Sequence, residues 1–434
     1  MSNIDLQFVT EFYKTLENTN IKYCILRNSE EVEFGDAHDI DMTVDVLRQQ
    51  ETERILFAVA KKCGWALHLR TGDMQDTLNI KCYHFFKQDN NELRIIHFDF
   101  FPTFMWQGYV LLDNEQLLSD MEQITLYHRA STGVEAVTKL FVRLLHNGYV
   151  KEKYKDRIQE VFRNNTASVQ ELLSSFLDQQ IVKFVMDSVC VGDWVVLEQK
   201  RDSIVKVIKT NSKHRRIANK RYLMKKAMKK TGVMVAFEGT DGSGKSTIIN
   251  GLRETLANSF PEGMFDYYHW RPGVIKKEKR ADAIVCEPHA KVPYGKLKSF
   301  AKFMFFNLDY IVGYWVKVRW QLAKGHLVVF DRYYYDYYMD KIRYRLSISD
   351  TTLHAFQWMI PKPDVTFVLT GTPEILYERK KEISVEEIKR QIEVLNLRKE
   401  NFSNPVMIDV NQTADKTIFD TGSEILRVCE RRYI

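Results

Sequence analysis

The stretch Val233-Met-Val-Ala-Phe-Glu-Gly-Thr-Asp-Gly-Ser-Gly-Lys-Ser-Thr247 constrains this chain more than any other. Val233 to Phe237 is an apolar run of strand length, and Ile248, Ile249, Leu252 and Leu256 follow at helical spacing. Between them, Gly239 to Ser246 fits G-x-x-x-x-G-K-[ST] without a mismatch. Gly239, Gly242 and Gly244 permit turns that a Cβ would forbid, so backbone N–H groups can converge on phosphate oxygens at a helix N-terminus. The phosphate-binding set read from the pattern is Gly239, Asp241, Gly242, Ser243, Gly244, Lys245, Ser246 and Thr247. Lys245 is expected to reach the β- and γ-phosphates of ATP, and the Ser246 hydroxyl to hold Mg²⁺.

A chain of 434 residues is too long for one core. We divide it into residues 1–130, a helical extension with a basic linker at 131–231, and 232–434. A net charge of +6 suits phosphorylated ligands and is too weak to argue for specific nucleic-acid binding. Six cysteines without a C-x-x-C pair read as reduced thiols of a cytoplasmic protein. The N-terminus shows no signal pattern. The most membrane-like segment, 303–316, is interrupted by Asn307 and Asp309 and is too short to span a bilayer, so it is expected to be a buried helix. The linker 213–230 carries nine Lys or Arg and no acid. It reads as a solvated boundary helix, with weak contact to an anionic membrane surface as the alternative.

In the N-terminal third, Leu6, Val9, Phe12, Tyr13 and Leu16 form a helical stripe, and strands are expected at 21–26, 39–45, 65–70, 78–86 and 92–100. Alternation puts Ile40, Met42 and Val44 on the core face of the second strand and Asp39 and Asp41 on the other. Asp99 on the last strand completes a set of three carboxylates of the kind that grips paired Mg²⁺ ions around a triphosphate. Leu26-Arg-Asn-Ser29 followed by Asp39-Ile-Asp41 resembles the nucleotidyltransferase superfamily of polymerase-beta and aminoglycoside-modifying enzymes, with Asn28 where glycine is usual. That resemblance implies an α+β fold over roughly 20–105 with metal ligands Asp39, Asp41 and Asp99.

Beyond residue 232, nearly all-apolar strands alternate with helices, which implies a parallel sheet covered on both faces. Gly325-His-Leu-Val-Val-Phe-Asp331 is a strand ending in an aspartate placed to serve a metal, with Arg332 beside it. The P-loop, Asp331-Arg-Tyr333, Pro363-Asp-Val-Thr-Phe-Val-Leu369 and Pro373-Glu with Arg379 together resemble the thymidylate kinase family. The resemblance implies an α/β P-loop kinase fold using ATP and Mg²⁺. It implies Asp331 at the metal, Arg332 on the acceptor phosphate, Lys245 on the donor and Arg379 opening a lid whose cations are Lys380, Lys381, Lys389, Arg390 and Arg398. It makes a dimer plausible.

The acceptor side departs from that family. Asp309-Tyr310 stands in place of an Asp-Arg pair, Tyr334-Tyr-Asp-Tyr-Tyr-Met339 replaces the thymine-recognising run, and Arg271-Pro-Gly273 lacks a glutamate. The leading expectation is therefore an Mg-ATP-dependent phosphotransferase whose acceptor is a phosphorylated metabolite, sugar or glycan rather than thymidylate. The glycan guess rests on the association of similar two-part proteins with bacterial surface polysaccharides. Two alternatives stay open: nucleotidyl transfer at the N-terminal carboxylates, alone or in a bifunctional enzyme, and a nucleotide-gated binding protein.

Overall fold

The computed structural model describes residues 6–27, 39–72, 80–89, 92–124, 126–213, 230–275 and 292–433. Asn28, Ser29 and most of the basic linker (214–229) lie outside the described residues. The chain divides into two compact units, residues 1–87 with 95–219, and 88–94 with 220–434.

In the first unit, helix α1 (Leu6–Glu17) buries Phe8, Val9, Phe12, Tyr13 and Leu16, the stripe its spacing predicts. Strands β1 (Tyr23–Ile25), β2 (Asp39–Val44), β3 (Ala66–Gly72), β4 (Lys81–Asp89) and β5 (Glu92–Phe100) follow, with helix α2 (Gln49–Lys62) between β2 and β3. A small hairpin, β6 (Phe104–Trp106) and β7 (Tyr109–Leu112), precedes β8 (Glu122–Gln123) and β9 (His128–Arg129). The main sheet has the order β3-β4-β5-β2-β1-β9-β8. Parallel pairing of β2 with β5 sets Asp41 opposite Asp99 and Asp39 opposite His97. Ile40, Met42 and Val44 point into a core with Phe85 and Phe98.

Helix α3 (Thr132–Asn147) begins where the Ser131 hydroxyl accepts from Val134 N and ends at Gly148, whose φ of 81° closes it. Its face Ala136, Leu140, Phe141, Leu144 and Leu145 packs with α4 (Glu152–Asn164), α5 (Thr166–Ser174), α6 (Gln179–Val191) and α7 (Arg201–Asn211) in a second core. Between residues 132 and 211 the described chain is built of helices, where a helical extension is expected.

The second unit is built on β10 (Val233–Gly239), helix α8 (Lys245–Thr255), β11 (Phe265–Tyr268), β12 (Leu327–Asp331), β13 (Val365–Thr370) and β14 (Pro405–Asp409). All neighbours run parallel in the order β11-β12-β10-β13-β14. β10 is buried along its whole length, so both sheet faces are covered. Helix α9 (Lys296–Gly313) sits between β11 and β12 in sequence, while α10 (Pro373–Arg379), α11 (Val385–Arg398) and α12 (Ala414–Glu430) complete the unit.

The segment expected as one buried helix is buried on one face only. Phe303, Phe306 and Tyr310 are inside, but the helix continues through a π-turn at Tyr314–Val318 and exposes Leu308, Trp315, Val316 and Trp320. Among the described residues no helix is long and apolar enough to cross a membrane.

Candidate functional site

The second unit gathers its polar residues at the carboxyl ends of β10 and β12. Parallel register pairs Phe237 with Asp331, which brings the aspartate ending β12 beside the strand that leads into the P-loop. The turn between β10 and α8 uses left-handed backbone at Gly242 (φ 81°) and Gly244 (φ 79°). At Gly242 a Cβ would also stand 2.3 Å from the Leu376 carbonyl oxygen, because the end of α10 abuts the loop there.

Lys245 is buried and curls back over the loop, donating to Gly239 O at 2.7 Å, Thr240 O at 2.9 Å and Ser243 Oγ at 3.3 Å. Burial lowers its ammonium pKa to about 8. Below that pH the charge is present for a phosphate. Above it, nucleotide binding must take up a proton, so ATP affinity is expected to fall by about tenfold per pH unit toward the ordinary lysine range. Titration with a fluorescent ATP analogue between pH 7 and 9.5 checks this, and a flat profile would contradict it.

Asp331 accepts from the Tyr267 hydroxyl at 3.1 Å and lies 3.6 Å from His269 Nδ1. Burial alone would raise its carboxyl, but His269, Lys245 and Arg332 outweigh burial and hold it at about 2. Its Oδ1 is buried with no hydrogen-bond partner among the described residues. An ionised carboxylate with an oxygen still unmatched, near the exposed Ser246 at the start of α8, fits the hydrated Mg²⁺ of a P-loop enzyme.

Arg332 adopts φ 71°, a left-handed conformation unusual for a side chain with a Cβ. Its N–H donates to Phe237 O at 2.9 Å. The buried guanidinium donates to Asp336 Oδ1 at 2.8 Å and Asp241 Oδ1 at 2.6 Å. Backbone strain of this kind persists where the surroundings over-determine it, which is common at working sites. Glu238, wholly buried at the end of β10, accepts from Tyr333 N at 2.8 Å. Burial, with Asp336 nearby, pushes its carboxyl well above the usual range.

The acceptor-side departures have a structural explanation. Asp309 is fully buried and accepts from Arg271 Nη1 at 2.7 Å, Gly273 N at 2.9 Å and Ile275 N at 2.8 Å. The Tyr310 hydroxyl donates to Trp270 O at 2.8 Å. Both side chains therefore fasten the 270–275 loop, and Arg271 is enclosed by Trp270 and Phe306. The tyrosines of 333–338 are all buried in one aromatic core, where Trp270 stacks on Tyr344 with centroids 4.4 Å apart. Their rings are core side chains rather than exposed ones.

Arg379 ends α10 exposed, and its neighbours Leu376 and Lys380 lie against Gly242 of the P-loop. The five cations that the resemblance assigns to a lid already have partners. Lys380 meets Glu382 at 3.1 Å, Lys381 Glu378 at 2.9 Å, Lys389 Glu374 at 3.0 Å, Arg390 Glu387 at 2.6 Å and Arg398 Asp350 at 2.7 Å. Exposed pairs of this sort are weak and release easily.

In the first unit, Asp39, Asp41 and Asp99 do line one cavity of about 200 Å³, together with Arg27, Phe101, Lys139, Arg143 and Tyr154. Among the described residues no group of three or more His, Cys, Asp or Glu side chains is placed to hold a metal ion. Arg27 Nη2 sits 2.6 Å from Asp41 Oδ2 with its guanidinium over the Phe101 ring. His97 Nε2 lies 3.7 Å from Asp39 and 3.9 Å from Asp99. The three carboxylates expected to hold Mg²⁺ thus share one cavity, with Arg27 and His97 as their side-chain neighbours. Lys139 and Arg143 were not among the expected site residues, although two cations four apart on one helix are a usable signal.

The comparisons with known proteins fall on the second unit. Residues 237–416 match the family model described as thymidylate kinase. A thymidylate kinase of Mycoplasma mobile is 28% identical over 152 residues, covering 33% of this chain and 67% of that protein. A protein of Saccharolobus solfataricus named probable thymidylate kinase 2 is 28% identical over 155 residues, covering 34% of this chain and 63% of its own length. The crystal structure of thymidylate kinase from Ehrlichia chaffeensis aligns with 45% of this chain and 99% of its own, at 18% identity and a TM-score of 0.32. The region 237–416 thus matches the thymidylate kinase family, and the second unit carries a thymidylate kinase-like core.

Proposed function

We propose that the second unit transfers the γ-phosphoryl group of Mg·ATP to a phosphorylated acceptor other than thymidylate. The observation that carries this reading is the convergence of Lys245, Asp331 with its unmatched oxygen, and the strained Arg332 on one P-loop. The amides of 239–247 cradle the donor phosphates, and Lys245 turns from the loop carbonyls to the β- and γ-oxygens. Ser246 and Asp331 would hold Mg²⁺, which when bound neutralises charge on those oxygens. Arg332 faces the acceptor phosphate and Arg379 closes from α10, excluding water. Catalysis is then positioning and electrostatic stabilisation, with little covalent work for the protein. A phosphorylated sugar or glycan is the acceptor class to try first, by analogy with similar two-part proteins associated with bacterial surface polysaccharides.

One observation favours a second reading, nucleotidyl transfer in the first unit. Lys139, Arg143 and Tyr154 face the three carboxylates across one cavity, an arrangement suited to a triphosphate once Arg27 leaves Asp41. ATP labelled at either the α- or γ-phosphate, incubated with a cell extract, separates the two. The γ label should move to a product in wild type and Asp41→Asn and stay in ATP with Lys245→Ala. Transfer of the α label, lost in Asp41→Asn, would shift the function to the first unit.

A further inference from the structure

A phosphorylated acceptor needs more than one cation to meet a dianion, and the second unit disposes of its arginines unevenly. Arg271 is committed to Asp309. Arg332 is at the site. A third guanidinium comes from a turn outside the sequence motifs. Arg343 Nη2 donates to Asp241 Oδ2, while Arg332 Nη2 holds Asp241 Oδ1 at 2.6 Å. The P-loop carboxylate is therefore clamped between two guanidiniums, one on each oxygen. Arg343 also donates from Nε to Asp340 Oδ2 at 3.3 Å and from its backbone N to Asp340 Oδ1 at 3.0 Å.

The turn that presents Arg343 is closed by backbone hydrogen bonds. Leu346 N donates to Lys341 O at 3.0 Å and Arg345 N to Ile342 O at 2.8 Å. Next to it, the Tyr344 hydroxyl donates to Asp336, the same residue that holds Arg332. Among the described residues of this unit, the non-glycine positions with positive φ are Trp270 (121°), Arg332 (71°), Arg345 (53°) and Asn404 (44°). Three of these four lie in or beside the cluster, and strain gathers where geometry is being held for use. The Arg332 side chain is 7% exposed and that of Arg343 is 22% exposed, so Arg343 is the arm that solvent reaches.

A carboxylate gripped by two guanidiniums occupies the kind of place a phosphate takes, because planar donor forks match the paired oxygens of either anion. We propose that Arg343 is a second ligand of the acceptor phosphate. Arg332 and Arg343 form a clamp for a phosphomonoester, and Asp241 keeps the two guanidiniums in register until that phosphate displaces it. The proposal rests on the phosphotransferase reading and supplies the cation that Tyr310 and the enclosed Arg271 do not.

The test uses the full chain with its donor site filled by Mg²⁺ and a non-hydrolysable ATP analogue, and methyl phosphate as the probe, followed by ³¹P NMR. Wild type should bind methyl phosphate saturably, and Arg343→Met should weaken it at least about tenfold with the affinity for the ATP analogue unchanged. Arg343→Lys keeps a charge for Asp241 and covers the case in which the methionine variant does not fold. It should still weaken the probe several-fold, because an ammonium has no bidentate fork. Equal methyl phosphate affinity in wild type and both variants, or no binding to wild type with the ATP analogue in place, overturns the proposal. Failure of the ATP analogue to bind wild type would instead bring down the phosphotransferase reading.

Discussion

Lys245→Ala is expected to reduce γ-phosphoryl transfer by at least about 10²-fold, the scale seen when one preorganised charge-stabilising donor is removed. The effect should fall on the chemical step and on nucleotide affinity together. The ammonium is the buried cation nearest the loop carbonyls, donating to Gly239 O and Thr240 O, and it needs only to exchange those partners for phosphate oxygens. The fold should survive. Truncation leaves carbonyl groups short of one donor, a loss of about 1 kcal/mol, and relieves the desolvation that depresses the lysine. A melting temperature within a few degrees of wild type, with label transfer near background, is the expected pair of results. Undiminished transfer would remove the P-loop from the mechanism.

The largest loss of stability is expected from Asp309→Ala. This carboxylate is 0% exposed and is shared by the Arg271 guanidinium and the N–H groups of Gly273 and Ile275. Removing one partner of a buried ion pair leaves the other uncompensated, a cost of about 3–5 kcal/mol. For a unit of this size that lowers its melting transition by about 10 °C. Asp309→Asn keeps an acceptor but loses the charge, so it should fall between the alanine variant and wild type. Calorimetry of the three proteins checks the order. An alanine variant that melts with wild type would mean that Arg271 is hydrated in solution and that the loop is held by other contacts.

How far the sequence led depended on which force places each residue. The P-loop was legible because backbone conformation dictates its glycines, and Gly242 and Gly244 take the left-handed angles the motif requires. Asp331 was legible because a strand-ending aspartate in a parallel sheet has one place to go, opposite Phe237. In the first unit, the Asp39, Asp41 and Asp99 grouping followed from two-residue alternation, and the register of β2 with β5 brings them together.

Side-chain choices between distant residues left no local trace. Nothing near Arg27 announces that it will sit on Asp41, and nothing near Arg271 announces Asp309. Arg343 was missed because it lies in an irregular turn with no period to read. The tyrosine run was ambiguous because tyrosine suits a wet pocket and a dry core equally. Only the surrounding rings, from Phe303 to Phe402, decide for the core.

The strand order of the second unit has a consequence for biosynthesis. β10 pairs with β12 on one side and with β13 on the other, and both partners emerge long after it. Until residue 370 has left the ribosome, Val233-Met-Val-Ala-Phe237 is an apolar, uncharged segment with an open hydrogen-bonding edge. Such a segment invites pairing with a neighbouring nascent chain, so truncations ending between β12 and β13 should accumulate in inclusion bodies, whereas chains extending past β14 should not.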